Sequence, residues 1–87
     1  MKKKILITGG LGFIGSHTSL KLLENKYEIV VLDNLSNSKI QVRSRISQLA
    51  KKDFDFVEGD IRDRKLLNNL FKKNTIDCVI HFAGLKA

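Results

Sequence analysis

The stretch Ile5-Leu6-Ile7-Thr8-Gly9-Gly10-Leu11-Gly12-Phe13-Ile14-Gly15-Ser16 limits what this chain can fold into more than any other. It reads as a buried strand, a glycine-rich turn and the first turn of a helix. Four of the six glycines fall between Gly9 and Gly15, so the turn has a backbone requirement. Gly9 allows a sharp exit from the strand. Gly12 has no Cβ, so a ligand can lie against its backbone. Gly15 permits close approach of helix and strand. The helix start then offers unpaired N–H groups and the positive end of the helix dipole, an anion site suited to a pyrophosphate. A glycine pattern alone is weak, but the context is present on both sides. An apolar, β-branched run precedes it, and Ile14, Thr18 and Leu22 follow at i, i+4 and i+8 as a helical face.

A helix over 15–25 is predicted, with Asn25 as its left-handed stop. Tyr27-Glu28-Ile29-Val30-Val31-Leu32 then forms a second buried strand and ends in Asp33. Asp33 stands 21 positions after Gly12 and 18 after Gly15, close to the spacing of an acid that binds an adenosine ribose. A carboxylate there repels a 2′-phosphate, which favours NAD over NADP. Asn34, rather than Arg, follows it. A polar loop leads to a helix over about 40–51, with Val42, Ile46 and Leu49 on one face. A third strand covers 54–57, and Asp63 is placed to cap the next helix. That helix carries the stripe Leu66, Leu67, Leu70 and Phe71. A fourth strand covers 77–82.

The order βαβαβαβ predicts an α/β fold: the N-terminal part of a Rossmann-type, doubly wound parallel sheet with right-handed crossovers. Its ligand crevice lies at the carboxyl ends of the strands, beside the first.

Composition narrows the function classes. No apolar run approaches the roughly 18 residues of a membrane span. The apolar part of Lys2-Lys3-Lys4-Ile5-Leu6-Ile7 stops too soon for a signal peptide. A single cysteine excludes an internal disulfide framework and fits a cytoplasmic setting. The net charge of +7 is spread over lysines at strand starts and helix ends, without interleaved aromatics. It reads as a solvated surface, and neither nucleic acid nor membrane is an expected partner.

Four motifs carry a resemblance. They are Thr8-Gly9-Gly10-Leu11-Gly12-Phe13-Ile14-Gly15-Ser16-His17, Leu32-Asp33-Asn34-Leu35-Ser36-Asn37-Ser38, Glu58-Gly59-Asp60-Ile61-Arg62 and His81-Phe82-Ala83-Gly84-Leu85-Lys86-Ala87. Over essentially its whole length the chain resembles the N-terminal part of the UDP-glucose 4-epimerases, extended short-chain dehydrogenase/reductases. Related sugar-nucleotide dehydratases typically carry Ala-Ala where this chain has Ala83-Gly84. The resemblance implies bound NAD, a UDP-hexose substrate, a 4-keto intermediate and a homodimer. Beside Gly9, Gly12 and Gly15, read from the turn itself, it maps cofactor contacts onto Phe13 and Ile14, onto Asp33 to Ser38 with Asn34 and Asn37 among them, onto Asp60 and Ile61, and onto Phe82, Ala83, Gly84 and Lys86.

One departure stands out. The family's catalytic base is the tyrosine of a Tyr-x-x-x-Lys motif, and the only tyrosine here is Tyr27, with Val31 four positions on. The chain therefore reads as a truncated NAD-binding portion, residues 1–87, that holds no catalytic residue of its own and lacks the substrate domain. The alternatives are another nucleotide-sugar dehydratase or reductase of the superfamily, or a non-enzymatic dinucleotide-binding module. His17 and His81 are too few and too isolated for a metal site, with His81 expected in a structural hydrogen bond at the sheet end. Cys78, within an apolar strand, is expected as a buried, inert thiol.

Overall fold

The computed structural model describes residues 3–35 and 40–82. Seven elements follow in chain order: β1 (Lys4–Thr8), α1 (Phe13–Glu24), β2 (Glu28–Asp33), α2 (Gln41–Ala50), β3 (Asp55–Glu58), α3 (Arg64–Lys73) and β4 (Cys78–His81). The strands form one parallel sheet in the order β3-β2-β1-β4. The doubly wound expectation holds: the chain steps outward twice on one side of β1, then crosses to the other.

The two central strands are apolar runs buried on both faces, as a covered parallel sheet requires. Ile5, Ile7, Ile29 and Val31 face one core with Leu23, Ile46 and Phe54, under α1 and α2. Leu6, Val30 and Leu32 face the other with Leu70 of α3. The period-2 alternation assigns neighbouring residues of one strand to opposite layers.

α1 departs from its predicted face. The buried row is Gly15, Ser19 and Leu23, while Ile14 is 58% exposed. Small residues win the inward row because the helix lies directly on the glycine turn. Asn25 does not take the left-handed conformation (φ −93°); Lys26 does, at φ 70°. The stop is a Schellman motif: the Lys26 N–H reaches the Leu23 carbonyl and the Tyr27 N–H the Leu22 carbonyl.

α2 turns Ile46 inward with Val42 and Ala50 beside it, and leaves the expected Leu49 60% exposed. Arg43 instead spreads over the rings of Phe54 and Phe56, 6.0 and 5.8 Å from their centroids. α3 begins as predicted, with Asp63 accepting the Leu66 N–H at 3.1 Å. Cys78 contradicts its expected burial and is an exposed free thiol. β4 pairs only with β1 among the described residues, so its side chains lie at the sheet margin, where Val79 is also exposed.

Candidate functional site

The site is built on the exit from β1. Gly9 sits at φ 72°, where a side chain would strain the backbone, and its N–H donates to the Leu32 carbonyl at 2.7 Å. The turn is thereby tied to the end of β2. The Gly12 N–H closes it on the Gly9 carbonyl at 3.2 Å. A Cβ on Gly15 would lie 2.2 Å from the Gly9 carbonyl oxygen and 2.9 Å from the Gly10 Cα. The expected close approach at Gly15 is therefore made to the turn itself, rather than to the strand. Gly12 is different: among the described residues its added Cβ would meet only the Gly9 carbonyl oxygen, at an ordinary 3.5 Å.

Among the described residues no side chain caps the amino end of α1. Gly12 is the N-cap, offers no side-chain cap, and no acidic residue stands in the first turn. The Ser16 N–H is the first to find an intrahelical partner, the Gly12 carbonyl at 2.8 Å. The N–H groups of Phe13, Ile14 and Gly15 precede it and have no helical carbonyl within reach. Their partial positive charge faces outward, flanked by Phe13 (83% exposed) and Ile14. The ring of Phe13 packs edge-on to His17 at 5.1 Å.

Asp33 ends β2 beside this turn and is buried. Oδ2 accepts the Leu11 N–H at 3.0 Å, and Oδ1 accepts the Leu35 N–H at 2.8 Å. The second bond holds Leu35 in the left-handed conformation, φ 61°, a geometry that Asp side chains support locally. The two bonds fix the carboxylate at the end of β2, against the glycine turn. Asn34 follows on the exposed side.

Asp60 lies in the loop after β3, which the Gly59 N–H ties to the Asp33 carbonyl at 3.1 Å. Its carboxylate is engaged with Arg62 through Nε (3.1 Å), Nη2 (2.8 Å) and the backbone N–H (2.8 Å). These bonds to the Arg62 side chain, with the backbone N–H second, hold the Asp60 carboxyl down at about 2. Ile61 packs half-buried against the second core. Phe82 follows β4, with its N–H on the Thr8 carbonyl at 2.8 Å. His81 makes the sheet-end hydrogen bond expected of it, between Nδ1 and Thr8 Oγ1.

The structure thus brings Gly9, Gly12, Phe13, Ile14, Gly15, Asp33 and Asn34 together at one edge of the sheet, with Asp60, Ile61 and Phe82 on the flanking strand ends. Asn37, Ser38, Ala83, Gly84 and Lys86 lie outside the described residues. Ser19 escaped the sequence reading. It is fully buried, and its Oγ donates to the Gly10 carbonyl at 3.2 Å. The available signal was a serine one turn beyond Gly15, in a row where a core residue was due. Among the described residues no group of His, Cys, Asp and Glu could hold a metal ion.

A parallel sheet of this order, a glycine turn and an open helix start define an α/β protein of Rossmann type. Residues 6–87 match the family model described as GDP-mannose 4,6 dehydratase, and the chain belongs to that family. It is 54% identical over 85 residues to a UDP-glucose 4-epimerase of Neisseria meningitidis, covering 98% of this chain and 25% of that protein. It is also 54% identical over 83 residues to a Bacillus subtilis UDP-glucose 4-epimerase, covering 95% and 24%. The crystal structure of the Bifidobacterium longum UDP-glucose 4-epimerase, in complex with NAD+ and UDP, superposes with a TM-score of 0.95 at 44% identity, over 98% of this chain and 25% of that one. The chain spans about a quarter of the length of the curated relatives it matches.

Proposed function

We propose that this chain is the NAD-binding part of a UDP-glucose 4-epimerase. The observation that carries the reading is the open start of α1 beside Asp33, in a sequence 54% identical to known epimerases. The N–H groups of Phe13, Ile14 and Gly15 suit a pyrophosphate, and Gly12 leaves it room. Asp33 suits the adenosine ribose. The resemblance to the epimerases assigns Asn34, Asn37, Ser38, Asp60 and Ile61 to the adenosine side, and Phe82, Ala83, Gly84 and Lys86 to the central and nicotinamide side. NAD supplies a hydride acceptor when bound; the residues here bind and orient it.

In the whole protein the reading gives interconversion of UDP-glucose and UDP-galactose through a 4-keto sugar. The base lies outside these 87 residues: Tyr27 precedes β2 at the end opposite Asp33, away from the crevice. The 87 residues alone are therefore expected to be inactive. A homodimeric, cytoplasmic whole protein belongs to the same proposal, the latter supported by a single free cysteine.

Calorimetric titration of the full-length protein with NAD tests the cofactor, with Asp33→Ala expected to bind at least about tenfold more weakly, through loss of charge-assisted bonds. Conversion of UDP-galactose to UDP-glucose tests the reaction. A dehydratase reading has one observation in its favour, the family model's own description. Formation of a stable 4-keto-6-deoxy sugar by the full-length protein would establish it instead. The sequence Ala83-Gly84 favours the epimerase.

A further inference from the structure

One peptide group in the glycine turn, joining Gly10 to Leu11, is held from both ends by side chains. Its carbonyl accepts from Ser19 Oγ at 3.2 Å, and its N–H donates to Asp33 Oδ2 at 3.0 Å. Ser19 comes from the middle of α1, and Asp33 from the end of β2. Ser19 is 0% exposed, so its hydroxyl has no water to turn to. Gly10 is boxed in on the same side: an added Cβ would lie 2.7 Å from a Val31 methyl and 3.1 Å from Ser19 Oγ.

A peptide plane beside glycine rotates easily, because no Cβ opposes the paired change of ψ and φ. Here a rotation would break both bonds and turn a carbonyl dipole toward the Asp33 carboxylate. It would also disturb Gly12, one residue on, where α1 begins. Asp33 restrains the N–H end of that plane, and Ser19 is what restrains the carbonyl end.

We propose that Ser19 is a positioning residue for the dinucleotide: it locks the Gly10–Leu11 peptide so that Asp33 and the start of α1 stay in register for their ligand. Ser19 lies beneath the turn and touches no ligand itself. The inference rests on the reading of this turn as a pyrophosphate site.

The test uses the full-length protein and two variants. Ser19→Ala keeps the Cβ and removes the donor. Leu23→Ala opens the core one helical turn further along α1, and serves as a control for general destabilisation. NAD affinity is measured by calorimetry, and exchange of the Leu11 amide by hydrogen–deuterium NMR without cofactor. The expected result is NAD binding roughly five- to tenfold weaker in Ser19→Ala, as for loss of one buried hydrogen bond. The Leu11 amide should exchange faster there while the amides of Val30 and Val31 keep their protection. Leu23→Ala should bind NAD as the parent does. Unchanged affinity in Ser19→Ala, or an equal loss in Leu23→Ala, overturns the proposal. If Ser19→Ala does not fold, Ser19→Cys, a weaker donor of similar size, takes its place, with an intermediate loss expected and parent-like affinity overturning the idea. If the parent binds no NAD, the cofactor reading fails, and Leu11 exchange alone decides the clamp: faster exchange sustains it and unchanged exchange ends it.

Discussion

Two helices of this protein start at the same edge of the sheet and treat their first N–H groups in opposite ways. α3 begins at Asp63, whose carboxylate accepts the Leu66 N–H. α1 begins at Gly12, which offers no side chain at all. The backbone at both caps is extended, with φ −82° and ψ 100° at Asp63 and φ −70° and ψ 178° at Gly12. The difference is therefore the side chain, not the path of the chain. A helix start that is sealed contributes to stability. One without a side-chain cap, beside a buried Asp33, suits an anion, which is the role proposed for it.

The largest expected effect strikes the turn under α1. Gly15→Ala places a methyl 2.2 Å from the Gly9 carbonyl oxygen, and two backbones must separate to admit it. Overpacking of this kind destabilises by about 3 kcal/mol, and NAD binding should be lost with it. Urea unfolding measures the first and calorimetry the second. A parent-like Gly15→Ala would break the claim that the helix rests on the turn.

Asp63→Ala acts on the sealed helix. Loss of the cap should lower stability by about 1 kcal/mol. NAD affinity should stay the same, and a fall in affinity would show that the two helix starts do not divide their roles as described. The smallest effect belongs to the exposed Asp60–Arg62 pair. The Asp60 carboxyl is held at about 2, below its ordinary value of 3.8, so its native bonds contribute above the ordinary value and are lost as pH falls toward 2. Its exposure keeps that contribution small. Replacing it, Asp60→Asn, should slightly flatten the decline of thermal stability between pH 4 and pH 2. A decline identical to the parent's would remove the pair from the acid response.

Much of this was legible in the sequence. The apolar runs at Ile5–Ile7 and Ile29–Leu32 gave the central strands, since strands covered on both faces need no alternation. The glycine turn, the place of Asp33 at the end of β2 and the Asp63 cap follow from local chemistry. What was missed depends on neighbours. The inward row of α1 passes through Gly15 and Ser19, because the turn it lies on leaves room only for small side chains. Periodicity chose the bulkier Ile14 row. Cys78 looked buried from its apolar strand, yet its exposure is set by what lies beside β4. Lys26 takes the left-handed position beside an asparagine better suited to it, because the Schellman bonds fix that position by count from Leu22 and Leu23.

The most direct measurement gives α1 the cap that α3 already has. Gly12→Asp fits the extended cap conformation, and among the described residues its Cβ meets only one backbone atom, at 3.5 Å. The new carboxylate would accept from the first-turn N–H groups and carry a negative charge where the pyrophosphate is proposed to sit. The expected result is a full-length protein with thermal stability at or slightly above the parent's, and NAD binding weaker by about a hundredfold or more. A Gly12→Asp protein that folds and binds NAD as tightly as the parent would contradict the claim that the open start of α1 is the anion site.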